Sequence, residues 1–105
     1  NKPEIQISSY QYNFGEIMAD TVYSGYVIIE NIGSAPLIIN NIAPDCNCTD
    51  AFVTKKKLSP NDTCMLNFTF KTYHKKGIQK NYIFIEANTD SLVHLVEIFS
   101  IVNQL

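Results

Sequence analysis

The chain has 105 residues, 46% of them apolar, and a formal charge of −2. That is one domain's worth of sequence, enough to bury roughly two-thirds of the unfolded surface, and no apolar run reaches the about 18 residues that a membrane span needs. All eight cations are Lys and none is Arg, so the planar fork that grips phosphates and guanine edges is missing and nucleic acid is excluded as a partner.

Strand signals dominate from the start. The first candidate is broken, around Glu4–Tyr12, and closes on Asn13-Phe14-Gly15. The second runs from Thr21 to Asn31, with Val27 and Ile29 on one face and Tyr26, Ile28 and Glu30 on the other; Asn31-Ile32-Gly33-Ser34 then turns the chain. Pro36 opens a third strand, Leu37–Ile42, which ends at Pro44. A short fourth, Phe52–Lys57, leads into the β-turn Ser59-Pro60-Asn61-Asp62. The fifth, Cys64–Thr72, alternates cleanly, with Leu66, Phe68 and Phe70 on one side and Asn67, Thr69 and Lys71 on the other. Two long strands, Ile78–Ala87 and Leu92–Val102, complete the set around the turn Asn88-Thr89-Asp90-Ser91. No segment keeps a 3.6-residue apolar period, and no linker or repeat divides the chain. Residues 1–105 are therefore expected to form a single all-β domain, an immunoglobulin-like sandwich of seven antiparallel strands.

Two features of surface chemistry follow. Seven of the eight Lys fall between Lys55 and Lys80, where Asp62 is the only acid, which predicts a locally positive stretch. Its ordinary role is to solubilise an edge strand and loop. The second feature is excess apolar character. Tyr82-Ile83-Phe84-Ile85 and much of Leu92–Val102 are apolar on both faces, whereas a two-layer sandwich buries only one. Tyr82, Phe84, Leu95 and Phe99 are the candidates for a surface that another protein, or a second copy of this chain, covers.

The turns and motifs also resemble a known family, the bacterial domains of unknown function numbered 1573, similar to the Hydin and major-sperm-protein branch of immunoglobulin-like folds. The likeness rests on five ordered elements. Tyr12-Asn13-Phe14-Gly15-Glu16-Ile17 is similar to that family's opening motif. Asn31-Ile32-Gly33-Ser34-Ala35-Pro36-Leu37 resembles its Asn-x-Gly-x-x-Pro-Leu core, and Cys46-Asn47-Cys48-Thr49 its Cys-Gly-Cys-Thr. Ser59-Pro60-Asn61-Asp62 stands where it has Pro-Gly-Glu or Pro-Gly-Asp, and Asn88-Thr89-Asp90 resembles the turn before its last strand. Asn47 and Asn61 replace Gly, and because Asn tolerates positive φ the same turns are expected at both. Cys64 lies outside the pattern. The resemblance implies an immunoglobulin-like sandwich in an exported or lipid-anchored bacterial protein, with any anchor upstream of Asn1, and no enzymatic activity. It supplies no ligand. No signal peptide is visible, and the opening on Asn1 rather than Met is consistent with a removed upstream segment.

Cys46 and Cys48 are the one chemically unusual pair. If Asp45–Thr49 is extended, residues two apart share a face and the thiols lie side by side. Such a dithiol could bind Cu(I) or Zn(II), with Cys64, His74 and His94 as the remaining ligands, although none stands three or four residues away. It could serve in redox exchange, against which stand the flanking Asp45 and Asp50 and the absence of a helix N-terminus. Or it is structural, with one thiol bridged to Cys64 across about 16 to 18 residues for roughly 3 kcal/mol, or with the thiols simply buried. Three cysteines always leave one over. Structural use leads, and no metal or cofactor is expected. His74, in a Lys-rich loop, and His94, with no Ser or Cys partner nearby, offer no catalytic template, and the four Gly at 15, 25, 33 and 77 form no phosphate loop. The expected function is a non-enzymatic, exported interaction or scaffold module. The alternative is a thiol-based metal-binding or redox protein using Cys46 and Cys48.

Overall fold

The computed structural model describes residues 1–104; residue 105 lies outside the described residues. Nine strands form two sheets, and no helix is present among the described residues. They are β1 (Ile5–Ile7), β2 (Gln11–Met18), β3 (Val22–Asn31), β4 (Leu37–Pro44), β5 (Thr49–Val53), β6 (Lys57–Leu58), β7 (Thr63–Lys71), β8 (Gly77–Ala87) and β9 (Val93–Asn103). One sheet has the order β1-β3-β7-β5 and the other β2-β9-β8-β4-β6.

The count of nine instead of seven corrects the expected architecture, and in each case the cause is a change of sheet. The first predicted strand splits. Its beginning pairs with β3 as β1, and its end crosses to pair with β9 as β2. The predicted turn at Asn13–Gly15 falls inside β2 as a bulge. Gly15 sits at φ 71° and its N–H is held by the Asn13 side-chain oxygen at 2.7 Å, so the strand register shifts without ending. The fourth predicted strand divides likewise, β5 joining β7 and β6 joining β4. The sandwich is also not wholly antiparallel, because β2 runs parallel to β9.

The core follows from period-two alternation. Leu66, Phe68 and Phe70 of β7 are buried, as are Val27 and Ile29 of β3 on the same sheet. Facing them from the other sheet are Leu37 and Ile39 of β4, Ile83 and Ile85 of β8, and Val96 and Ile98 of β9. Each such side chain contributes roughly 1.5–3 kcal/mol by leaving water. A smaller cluster of Ile17, Phe70 and Val102 closes one end, with Phe14 and Cys48 packed on it.

Of the two Asn predicted to replace Gly at positive φ, Asn61 does so at 70°, while Asn47 is not among the residues in that region. Asp20 and His74 take it instead, at 58° and 61°.

Candidate interaction face and the Cys46–Cys48 pair

The long hairpin β8–β9 sets out its side chains in rows. On the inward face stand Asn81, Ile83, Ile85 and Ala87 against Val96, Ile98, Ser100 and Val102. On the outward face the cross-strand pairs are Ile78–Ile101, Lys80–Phe99, Tyr82–Glu97, Phe84–Leu95 and Glu86–Val93. Ile78 is 66% exposed, Leu95 46% and Phe84 37%. The result is a face on which apolar side chains predominate but are interrupted by Lys80, Glu86 and Glu97, bordered by Gln11, Asn13 and Glu16 on β2.

Tyr82 differs from its neighbours on this face. Its hydroxyl donates to Glu97 Oε1 at 3.1 Å, and Gln11 Nε2 donates to the other oxygen of Glu97. The Gln11 and Tyr82 hydrogen bonds hold the Glu97 carboxyl below its usual range, and the bond to Glu97 pushes the phenol above its own. Tyr82 is thus half-buried and tethered, whereas Phe84 and Leu95 project freely.

The expected lysine patch is divided. Lys55 is ion-paired with Asp62 at 3.0 Å near the start of β7, and Lys71 with Asp50 at 3.1 Å near its end. With nine residues of strand between, roughly 26 Å separates these groups. These two lysines are therefore far apart and each is matched by a carboxylate.

Residues Asp45–Cys48 form a turn, not the extended segment expected, and they carry the chain from β4 in one sheet to β5 in the other. The turn brings Cys46 Sγ and Cys48 Sγ into a disulfide, with Cα atoms 5.1 Å apart. The Cys48 N–H points at Cys46 Sγ at 3.0 Å, and the Cys48 carbonyl accepts from Lys71 N–H at 2.8 Å. Cys64 is not their partner. Thr49 pairs with Phe70, six residues along β7 from Cys64, or roughly 20 Å, which no disulfide spans. Cys64 is a free thiol buried in the core opposite Ile29, and burial pushes its pKa up.

His74 stands exposed in the β7–β8 turn, and His94 is half-buried. His94 Nε2 lies 2.8 Å from Thr89 Oγ1, a distance that suits a base and its nucleophile. The Thr89 hydroxyl, however, donates to the Ser91 carbonyl at 2.6 Å, which turns its proton away from the ring nitrogen. Among the described residues no three metal-ligating side chains converge, and Cys64, His74 and His94 are not gathered around the Cys46–Cys48 pair.

Sequence reasoning passed over two groups. Tyr26 and Phe52 flank Asn67 across the outside of the four-stranded sheet, both more than half exposed. The alternation of β3 had already placed Tyr26 outward, so the signal was present. Buried Asn81 and Ser100 are the second group, on the inward face of β8 and β9.

The family of the protein of unknown function (DUF1573) matches residues 5–102. The chain belongs to that family. Among solved structures, the chain is similar to a protein of unknown function from Porphyromonas gingivalis W83, at TM-score 0.82 and 12% identity over 94% of this chain and 46% of that one. The ASH/PapD-like domain 7 of human CEP192 gives TM-score 0.72 and 9% identity, covering 99% and 88%. The YadV chaperone gives 0.68 and 15%, covering 94% and 52%. The chain thus spans about half the length of the first and third of these proteins. At such identities the likeness shows the fold alone, an immunoglobulin-like, PapD-like architecture. No curated protein matches the chain.

Proposed function

We propose that this DUF1573 domain is a non-enzymatic interaction module, exported from the cytoplasm, that docks another protein or a second copy of itself on the outward face of β8 and β9. The observation that carries the reading is the Phe84–Leu95 pair. Both side chains are large and apolar, they touch the solvent side of the sheet, and neither belongs to the core. Single exposed apolar residues are ordinary. Here the pair is flanked by exposed Val93, and beyond the Tyr82–Glu97 pair Ile78 is exposed and Phe99 and Ile101 half-buried, a concentration of apolar side chains on one sheet face that marks a covered surface. That one protein of this fold is a chaperone supports a polypeptide as occupant. The Cys46–Cys48 bridge supports an oxidising compartment.

The test is the double variant Phe84→Ser, Leu95→Ser, read by sedimentation and by chemical crosslinking in extracts of the source cell. The wild type is expected to self-associate or to crosslink to a discrete partner, and the variant to lose at least about tenfold in that affinity while keeping its circular dichroism. Identical association behaviour in both proteins would end the reading.

A further inference from the structure

Cys48 is the better packed of the two bridged sulfurs. It lies against the Ile17, Phe70 and Val102 cluster, whereas Cys46 belongs to neither core cluster and sits between exposed Asp45 and Asn47. Asn81 reaches this half-buried sulfur from the inward face of β8, its Oδ1 3.8 Å from Cys48 Sγ. Asn81 is 8% exposed, and its Nδ2 has no hydrogen-bond partner among the described residues. Ser100, diagonal to it on β9, holds a second buried polar atom without a partner. Burying a donor in this way costs about 1–3 kcal/mol, so the amide calls for an acceptor. A bridged sulfur carries no hydrogen to offer Oδ1. A half-turn of the Asn81 amide exchanges its two ends and aims Nδ2 at Cys48 Sγ. A neutral disulfide sulfur is a weak acceptor for that N–H, and a thiolate is a strong one.

We infer that Cys46 and Cys48 form a reversible dithiol–disulfide pair that exchanges with thiols and disulfides of other molecules, Cys46 being the exchanging sulfur and Cys48 the resolving sulfur that Asn81 stabilises. In the reducing direction a partner thiolate attacks Cys46 Sγ. The bond to Cys48 breaks, and its electron pair leaves on Cys48 as a thiolate that accepts from Asn81. A second partner thiolate then attacks the partner's sulfur in the mixed disulfide, releasing Cys46, whose sulfur accepts the Cys48 N–H. The protein gains two electrons and the partner thiols become a disulfide; of the two protons those thiols shed to solvent before attack, one is taken up by Cys46 and one stays in solvent, leaving Cys48 as the thiolate that Asn81 holds. Asp45 and Asp50 act against both thiolates, although Asp50 is engaged by Lys71. The site is independent of the β8–β9 outer face and does not rest on its docking role.

The test uses the full chain in glutathione buffers, with alkylation and peptide mass spectrometry. In oxidised buffer the Cys46–Cys48 bridge forms, and reduction frees both thiols without loss of the β-sheet spectrum, while Cys64 stays unlabelled until the protein unfolds. Cys48→Ser with oxidised glutathione accumulates one glutathione on Cys46, and Cys46→Ser accumulates far less on Cys48. Asn81→Leu shifts the equilibrium about tenfold toward the bridge, and Asn81→Ala, which removes the amide without adding bulk, shifts it in the same direction. Three free thiols in oxidised buffer, equal glutathione uptake at Cys46 in Cys48→Ser and at Cys48 in Cys46→Ser, or an equilibrium unmoved in whichever Asn81 variant folds would each overturn the inference.

Discussion

Asn31 is fully buried, and every hydrogen-bonding group it has is used. Its Nδ2 donates to the carbonyls of Ala35 at 2.8 Å and Leu58 at 3.0 Å, and its Oδ1 accepts from Gly33 N–H at 2.9 Å and Glu4 N–H at 3.4 Å. One amide therefore joins the segment before β1, the β3–β4 turn and β6. Replacing it with Leu keeps the volume and strands those partners, so Asn31→Leu is expected to cost about 3 kcal/mol in urea denaturation. The turn at Asn31-Ile32-Gly33-Ser34 was legible from residue types. The reach of the side chain to Leu58 was not, because it depends on β6, a two-residue strand with no periodic signal. His94 carries a second prediction. Burial lowers its pKa from the ordinary 6.5, so the folded state prefers the neutral ring. That preference contributes stability above about pH 6.5, which is lost as the pH falls from there through the folded value, since the unfolded chain takes up the proton first. His94→Gln removes this component. The urea midpoint of the wild type should fall more than that of the variant between about pH 7 and pH 5, and equal falls would refute the assignment.

At the scale of elements, the N-terminal segment is held by the β3–β4 turn. Ile32 N–H donates to the Glu4 carbonyl at 2.9 Å and Ser34 N–H to that of Lys2 at 2.8 Å. A Cβ on Gly33 would run into the Lys2 carbonyl oxygen and the Glu4 nitrogen, backbone atoms that cannot turn aside. Gly33→Ala is expected to cost about 2 kcal/mol. It should also raise amide exchange in Ile5–Ile7 while leaving β7 to β9 protected. Uniform loss of protection would show instead that β1 is not a separable element. The long strands β3, β7, β8 and β9 were readable because alternation over nine or more residues fixes which face is buried. The split strands were not. Whether Ser8–Ser9 or Thr54–Lys56 carries the chain from one sheet to the other is settled by the strands waiting there, and local sequence holds no record of them. The largely apolar outer face of β8 and β9 was legible as an excess of apolar residues. The tether from Tyr82 to Glu97 was not, because it depends on cross-strand register.

At the scale of the molecule, the two sheets make an elongated body of 53 × 18 × 18 Å, and its closure depends on strands far apart in sequence. Gln11 pairs with Glu97, and β9 lies between β2 and β8 in the five-stranded sheet. During synthesis the first strand of that sheet therefore leaves the ribosome long before its neighbour exists. Residues 11–18 must wait, their backbone groups paired only with water, until residues 93–103 emerge. Meanwhile Phe84 and its neighbours on β8 lack the strand that would align them. The emerging chain is open to capture by chaperones or by other nascent chains over this interval, and the five-stranded sheet is complete only when β9 arrives to join β2 to β8.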